Sequence, residues 1–527
     1  MEVDMNKKFL CGALLCAVAA STHAKIESNK TFMRSRDSLS HNLLMGLAGN
    51  SWRKDKKNSM GSTLSGTSYY RQSYNTRDLA TYFGGGQAIN DDQRGQLAIA
   101  AGESPILSPV AAGFEYDSEY LYSSALDHMA TAGVTGGMFG KINFSPVRTE
   151  YGTHISWQQD LGFITPRLSL NIDIPVVRVN HNLNAAFEGY AHTEGTAGPV
   201  GGTLQNYFSG ATLTKSSTAT QQALKYMLID GKSHGFTGVA DIQVGLGYNF
   251  YSDPTFRINT KGYFVLPTNG KLNAINLFEP TLGSGHVAIG LNTKISAKLF
   301  RSEDKAHKVT GIAAFDFRYL FNADKTRTLG IYDFWFNLIA TGSQYRNLAT
   351  SGSAYAIPSA NALTRTVTVN PGQIFDGVLG ARYNYKGLGV SFFYNFHAHS
   401  NESVVLAPTS RWVDNSYYML PRGKDVTSIT LGSDGHTYGG GILQEGNMTS
   451  YNGGSTYNAS QYYVTTAACT TGSDVTHKIS AVGEWHYRNF YFPINMSVGA
   501  DYEMAGLTHS NNGVHSWTAW SKLCICF

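Results

Sequence analysis

Charge and long apolar runs are both scarce in this sequence of 527 residues. Only 15% of its residues are charged, against about a quarter in a typical soluble protein. The longest apolar run covers residues 9–20, whereas a membrane-spanning helix needs about 20 apolar residues. These two absences exclude a helical membrane protein. The formal net charge of +4 is small and spread along the chain, which gives no indication of nucleic-acid binding.

Cysteine is rare as well, with five residues in the whole chain. Once the N-terminal apolar segment is set aside, Cys469, Cys524 and Cys526 remain, and three cysteines do not make a disulfide framework. His397 and His399 share one face of a predicted strand, as two metal ligands would, but no third ligand is evident. We therefore expect neither a metal nor a cofactor.

The N-terminus has the order of a secretory signal peptide. Lys7 and Lys8 precede the apolar segment 9–20, and Ser21, Thr22, His23 and Ala24 follow it, with small residues at three of these four positions. A charged region, an apolar region and a small-residue cleavage site are the three parts of such a peptide. Residues 1–24 are therefore expected to be removed, and the mature chain is expected to leave the cytoplasm.

Glycine and aromatic residues are abundant, with 56 Gly, 31 Tyr and 27 Phe. This aromatic content excludes a disordered chain, and the apolar residues alternate strictly with polar or small ones. In segment 241–250, for example, the even-numbered residues are apolar and the odd-numbered ones are not, which is the pattern of a β-strand with two different faces. The same criterion predicts twelve strands, most of them long enough to cross a bilayer at a tilt: 113–122, 150–163, 166–180, 235–251, 255–267, 285–300, 307–321, 376–386, 388–399, 476–487, 490–503 and 515–527.

The predicted connections alternate in length. The short ones are 164–165, 252–254, 301–306, 387 and 488–489. The long ones are 123–149, 181–234, 268–284, 322–375, 400–475 and 504–514. Short turns at one end and long loops at the other are typical of outer-membrane barrels, in which the long loops are extracellular. Aromatic residues gathered at the strand ends predict two interfacial girdles.

The C-terminal segment alternates as well. Counted back from Phe527, every second residue is Ile525, Leu523, Ser521, Ala519 and Trp517. This segment resembles the C-terminal strand of Gram-negative outer-membrane β-barrel proteins, whose terminal Phe and alternating apolar residues are the insertion signal read by the assembly machinery. The resemblance covers residues 113–527 and implies an insertion signal at Trp517, Leu523, Ile525 and Phe527. It also implies the outer membrane as location, with outer-membrane lipid and the assembly machinery as partners.

The expected fold class is therefore all-β, a transmembrane antiparallel β-barrel of 12–14 strands with short periplasmic turns and long extracellular loops. Residues 25–112 form an N-terminal segment with two interpretations. In the first, which the alternation slightly favours, 41–49 and 66–74 form one more hairpin and 77–83 forms a periplasmic helix. In the second, the whole segment is a plug inside the barrel, by analogy with the fatty-acid transporter family of fourteen-stranded barrels.

Several charged residues fall on the inward face of the predicted strands. The candidate lumen-lining residues are Arg167, Asp173, Asp241, Arg257, Lys261, Lys294, Lys298, Arg318, Arg382, Glu484, Asp501 and Lys522. With Lys308 and the acidic residues Asp160, Asp316 and Glu503, the inward set has nine basic and seven acidic members. It predicts either a hydrated, slightly positive channel or charges that pair across a filled barrel.

The functional hypothesis is a porin-like passive channel for small hydrophilic solutes. A surface adhesin or structural barrel with a closed lumen is the first alternative, and a transporter of hydrophobic molecules is the second. The oligomeric state stays open, a homo-oligomer included. An enzyme is not expected, because the G-x-S-x-G match at 231–235 precedes a predicted strand rather than a helix.

Overall fold

The computed structural model describes the strands, the short turns and part of the long loops. The described residues are 30–48, 61–83, 96–99, 138–165, 167–191, 204–211, 213–216, 219–221, 223–253, 255–268, 272–304, 306–331, 338–341, 357–410, 417–419, 464–487, 492–505 and 514–527. Within these ranges, every helix is too short or too polar to cross a membrane.

Twelve antiparallel strands form one closed barrel. They are β1 (Ser62–Ser73), β2 (Val147–Asp160), β3 (Leu168–Asn182), β4 (Ile242–Ser252), β5 (Phe256–Leu266), β6 (Ala288–Arg301), β7 (His307–Leu320), β8 (Gln373–Tyr385), β9 (Leu388–His399), β10 (Asp474–Tyr487), β11 (Ile494–Ala505) and β12 (Ser516–Cys526). Each strand pairs with its neighbour in the chain, and β12 pairs with β1 to close the ring. The predicted fold class, an all-β antiparallel barrel, is confirmed at twelve strands.

Eleven of the twelve predicted strands correspond to observed ones, because alternation of period two marks a wall with two different faces. The strand predicted at 235–251 is interrupted. Ser233–Val239 pairs with the upper half of β3, and β4 pairs with its lower half after a break at Ala240 and Asp241. The strand predicted at 113–122 lies outside the described residues, and the position beside β2 is held by β1.

The connections alternate in length as predicted. The short ones are 161–167, 253–255, 302–306, 386–387 and 488–493. At the opposite, long-loop end, several barrel strands continue into small sheets. One consists of Gln96–Ile99, Met138–Asn143 and Ala186–Ala191, and a second consists of Ala323–Thr328, Thr364–Asn370 and Ser403–Leu406. The remaining short strands are Leu213–Ser216, Ala219–Gln221, Gly330–Ile331, Leu338–Thr341, Ile357–Pro358, Tyr417–Met419 and Val464–Thr465.

The two faces of the barrel wall differ in chemistry. Inward side chains are mostly polar and buried, whereas the outward face exposes a band of large apolar side chains. Aliphatic residues such as Leu246, Leu291 and Val498 occupy its middle. Tyr70, Tyr319 and Tyr502 lie towards the long-loop end and Tyr251, Tyr385 and Tyr487 towards the short-turn end. An apolar band between two aromatic belts is the surface that a bilayer requires.

The N-terminal segment differs from the favoured interpretation. Residues 41–49 were expected to form a strand, and this expectation is wrong, because helix α1 spans Ser38–Leu47 and lies inside the barrel. The strand expected at 66–74 is confirmed as β1, so the barrel begins inside the segment 25–112. The helix expected at 77–83 is confirmed as α2 (Thr76–Phe83), but it follows β1 at the long-loop end and not at the short-turn end.

An apolar cap covers part of the long-loop end. Its helices are α2, α3 (Leu204–Phe208) and α4 (Ser359–Leu363). The described loops also contain two 3-10 turns, Pro408–Ser410 and Ala467–Cys469. Tyr82, Phe83, Phe208, Met227 and Phe278 are almost fully buried in one cluster there. The long-loop end therefore has an apolar core of its own, separate from the cluster that surrounds α1.

Candidate functional site: the barrel lumen and its N-terminal plug

Helix α1 occupies the lumen at mid-height, and we call the segment Lys30–Ala48 the plug. Asp37 caps the helix, accepting a hydrogen bond of 2.7 Å from the backbone N–H of Ser40. An acceptor at this position satisfies one of the free N–H groups of the first helical turn. Leu44 and Met45 lie against inward apolar side chains of the wall, among them Phe393 and Trp520. The plug therefore blocks the centre of the barrel.

Ion pairs hold the N-terminal end of the plug. The Arg36 guanidinium lies 2.7 Å from Asp376 and 2.7 Å from Glu503, and all three side chains are buried. Arg318 reaches Asp37 at 2.8 Å, so that one carboxylate both caps α1 and binds the wall. Buried charges persist only when they are paired and hydrogen-bonded, and here plug and wall supply each other's partners.

Wall cations hold the C-terminal end of α1. The Lys522 ammonium donates to the carbonyl oxygens of Met45 at 3.2 Å and of Ala48 at 2.8 Å. Arg382 donates to the carbonyl oxygen of Leu47 at 2.8 Å. The last carbonyl groups of a helix have no partners within it and carry partial negative charge, which cations stabilise. The wall thus provides the cap that the sequence of α1 lacks.

A second buried cluster ties the middle of α1 to the wall. Lys478 donates to the imidazole of His41 at 2.6 Å, and its ammonium lies 3.7 Å from Glu503. Burial, together with Arg71 and Lys478, holds the pKa of His41 well below its ordinary value. His41 therefore acts as a neutral acceptor for the lysine, and the helix buries no extra charge at this point.

A cavity of about 570 Å³ lies between the plug and the long-loop end. Phe32 and residues 34–37 of the plug line the cavity on one side, and the loop 272–286 lines another. The other lining residues are mostly polar or charged, and include Lys325, Arg327, His397, His399, Glu402 and Asp474. The chamber is thus polar and large enough for a small solute or several waters.

The charges around this cavity are partly balanced. Arg327 lies 2.5 Å from Glu402. Burial opposes ionisation of Glu402, but Arg327 and Arg34 outweigh it, so that its pKa lies below the ordinary value. Burial lowers the pKa of His286 to about 4, and Lys325 acts in the same direction. At neutral pH the cavity therefore presents the cations Arg34 and Lys325 beside neutral imidazole.

The histidines of the cavity have one ring nitrogen bonded to the protein. The Nδ1 of His397 lies 2.9 Å from Asp376, that of His399 is 2.7 Å from the Ser400 carbonyl oxygen, and that of His286 is 2.9 Å from the Phe321 carbonyl oxygen. Among the described residues, no three histidine, cysteine or acidic side chains are grouped as metal ligands. These rings can offer hydrogen bonds to a solute.

The predicted lumen residues lie in three kinds of place. Asp173, Lys261, Lys294, Lys298, Arg318, Arg382, Glu484, Asp501 and Lys522 occupy inward strand positions. Arg257 is also inward but exposed at the short-turn rim, and Arg167 lies in a turn, where it donates to the Phe250 carbonyl oxygen. Asp241 lies at the break before β4 and accepts hydrogen bonds from Ser284.

The proposed insertion signal lies on β12. Trp517 and Leu523 point outward with 40% and 45% of their surface exposed, while Ile525 and Phe527 are partly covered at the short-turn end. Their role in insertion stays a prediction.

Sequence reasoning missed the plug's own contacts. Arg36 and Asp37 lie outside every predicted strand, and His41 was expected to begin the strand 41–49. Asp376 begins the predicted strand 376–386 but was not among the candidate lumen residues. The available signal was helical: Asp37 is a preferred N-cap type, and Leu39, Leu43 and Leu47 repeat every four residues. A repeat of four residues is typical of a helix, whereas a strand repeats every two.

Comparisons with known proteins give distant likenesses only. No family model and no curated protein matches the sequence. Among solved structures, the porin NanC matches with 7% identity over 72% of this chain and 93% of its own, at a TM-score of 0.25. The transport unit of the Escherichia coli autotransporter AIDA-I matches with 8% identity over 94% of this chain and 99% of its own, at a TM-score of 0.30. The Pseudomonas putida toluene transporter TodX matches with 7% identity over 96% of this chain and 95% of its own, also at a TM-score of 0.30.

Scores this low carry no argument about function. The architecture rests instead on the strand pairing of the chain itself, which closes a twelve-stranded antiparallel barrel around the plug.

Proposed function

We propose that this protein is an outer-membrane channel for small hydrophilic solutes, closed by the plug in the state described. Export by the signal peptide 1–24, insertion through the C-terminal strand and a long-loop end facing outward belong to the same proposal. The apolar band between its aromatic belts supports the location in a membrane.

The contact between plug and wall carries this proposal. Ion pairs and hydrogen bonds hold both ends of α1, so polar contacts as well as apolar packing fix it in the lumen. Buried ion pairs are often no more stabilising than an apolar replacement of similar volume. A charged contact therefore suits a plug that must dock specifically and also leave into water.

The lining of the cavity favours hydrophilic solutes over hydrophobic ones. Arg34, Lys325 and Glu402 line it together with the histidines. An apolar molecule would remove water from these groups without replacing their hydrogen bonds, which is unfavourable. A polar solute can replace those bonds, so the transporter of hydrophobic molecules is the weaker hypothesis.

A structural or adhesive barrel with a closed lumen is the second candidate. The plug closes the described lumen at mid-height and the apolar cap covers part of the long-loop end above it, which favours this candidate. It predicts that no solute passes even when the plug is loosened.

Solute entry into liposomes separates the two candidates. Vesicles containing folded protein are placed in an isotonic solution of a small sugar or amino acid, and swelling is recorded. We expect slow swelling with the native chain and faster swelling with Arg36→Met, which removes a plug contact. Heat-modifiable gel mobility shows that both proteins are folded. Equal swelling of vesicles with the native chain, vesicles with Arg36→Met and empty vesicles would exclude the channel.

A further inference from the structure

The short-turn half of the lumen carries an unusual surplus of positive charge. On β4 to β8, the inward positions between the plug and the short turns hold six basic side chains: Arg257, Lys261, Lys294, Lys298, Lys308 and Arg382. Within the same described stretch of these five strands no inward carboxylate occurs, since Asp316 and Asp376 lie higher, near the plug's N-terminal end.

Two of the six cations are neutralised by neighbouring strands. Lys261 lies 3.3 Å from Asp173, and Arg382 lies 2.9 Å from Glu484. The other four, Arg257, Lys294, Lys298 and Lys308, have neither a hydrogen bond nor an ion pair among the described residues. We call these four residues the basic vestibule.

Nearby acidic residues do not balance the vestibule. Asp253 and Asp304 accept hydrogen bonds within their own turns, from Thr255 and Ala306 respectively. Glu303 is exposed and forms no ion pair within the described chain.

The strand register places the four cations close together. Arg257 pairs with Ser296, so Lys294 and Lys298 are its diagonal neighbours on β6. Lys298 pairs with Thr310, two residues from Lys308 on β7. Diagonal neighbours in an antiparallel sheet are about 7–8 Å apart at Cα, within reach of long side chains. Arg257 and Lys298 can therefore bind one ligand together, and Lys294 or Lys308 can add a third cation from either side.

We propose that the basic vestibule is a binding site for a multiply charged oxyanion, such as a polyphosphate or a di- or tricarboxylate. Lysine and arginine bind such oxygens through charge-assisted hydrogen bonds. These cations have no partners among the described residues and are enclosed by the wall on one side and the plug above, so their neutralisation requires more than one negative charge. The binding site itself does not depend on the proposed function. The inference rests on that function only where it makes the bound anion the transported solute.

Calorimetric titration of the full-length protein, folded in detergent micelles, tests the site. Inorganic pyrophosphate and citrate are the two probes, with chloride at equal ionic strength as the comparison. We expect saturable binding of one pyrophosphate or citrate per chain, weakened by added salt. Preference for one probe tells whether phosphoryl or carboxylate oxygens fit better, and chloride alone should give no saturable heat.

Substitutions locate the binding. Lys298→Gln with Lys308→Gln should weaken pyrophosphate binding about a hundredfold, because each lost charge-assisted hydrogen bond costs about tenfold. Lys298→Arg with Lys308→Arg keeps the charges and should retain binding. Lys232→Gln, at an exposed lysine of the long-loop end, is the matched control and should bind as the native chain does.

Absence of saturable heat with both probes would overturn the proposal, as would equal affinity in the Lys298→Gln, Lys308→Gln variant. Heat-modifiable gel mobility shows that each variant is folded. The titration requires no ion flow, so the two proposals can fail separately. If the protein binds pyrophosphate but lets no solute enter liposomes, the anion site is supported and the channel is refuted.

Discussion

Replacing Arg36 by Met is expected to loosen the plug. Arg36 is the one plug side chain that bridges two buried wall carboxylates, Asp376 and Glu503. Methionine keeps much of the side-chain volume but has no charge and no strong donor. The substitution therefore leaves both carboxylates without that cation while α1 is docked, and returns them to water when α1 leaves.

The structure sets the size of this effect. Removing one partner of a buried ion pair costs about 3–5 kcal/mol. Arg318 lies 3.5 Å from Asp376, and Lys478 lies 3.7 Å from Glu503. Because these two cations remain beside the carboxylates, we expect the free-energy cost to be at the lower end of this range, about 3 kcal/mol. That value corresponds to a roughly hundredfold rise in the undocked fraction of the plug.

Hydrogen exchange of the backbone amides of α1 measures this fraction. Exchange through local opening depends on the opening equilibrium, so amides in Ser38–Leu47 should exchange roughly a hundredfold faster in Arg36→Met, while those of the barrel strands stay unchanged. Arg178→Met is the matched control, because Arg178 is exposed on the outward face of β3. Unchanged exchange of α1 in a folded Arg36→Met protein would refute the role given to these ion pairs.

Three further predictions concern the plug, the cavity and the cap. Lys522→Ala removes the bonds to Met45 and Ala48 and should cost about 1.5–3 kcal/mol of docking, again read from exchange of α1. Burial lowers the pKa of His286 to about 4, so neutral His286 favours the folded loop above its ordinary pKa near 6.5. This contribution should be lost as the pH falls from about 6.5 to 4. After correction for the slower intrinsic exchange at low pH, the amides of residues 272–286 should lose protection over this range, and His286→Gln should remove this pH dependence. Burial raises the pKa of Cys469 to about 12, so iodoacetamide should modify it only after unfolding, as mass spectrometry would show.

The barrel wall was largely readable from the sequence. A strand between lipid and a polar lumen must alternate, and β9 was predicted with the bounds that it has, 388–399. Ends were less certain where strands continue into the loops. β8 begins at Gln373 rather than 376 because the preceding strand Thr364–Asn370 reaches almost to it.

The plug was harder to recognise because its surroundings are not those of an ordinary helix. A helix on a water-exposed surface has one apolar stripe, but α1 is enclosed and meets charges, hydroxyls and apolar groups on different sides. His41 and Ser40 are buried as deeply as Leu44. The burial of the α1 side chains therefore depends on contacts with strands distant in the sequence, such as that of Asp37 with Arg318. The local periodicity of the sequence gives no information about such contacts.

The sequence predicted which charged residues face the lumen, but not which of them pair with one another. Alternation placed Lys298, Arg382 and Lys522 on the inward face, where the structure has them. It did not show that Arg382 and Lys522 bind the end of α1 while Lys298 has no partner among the described residues. That distinction depends on where the plug ends and therefore on the three-dimensional structure.

Ion conductance across a planar lipid bilayer tests the central claim most directly. The native chain is compared with a chain lacking residues 30–48, which retains all twelve barrel strands. We predict rare, brief openings for the native chain and steady conductance for the shortened one, with a reversal potential favouring anions. Equal conductance from the two folded proteins, whether high or absent, would contradict a barrel whose path is closed by its N-terminal plug.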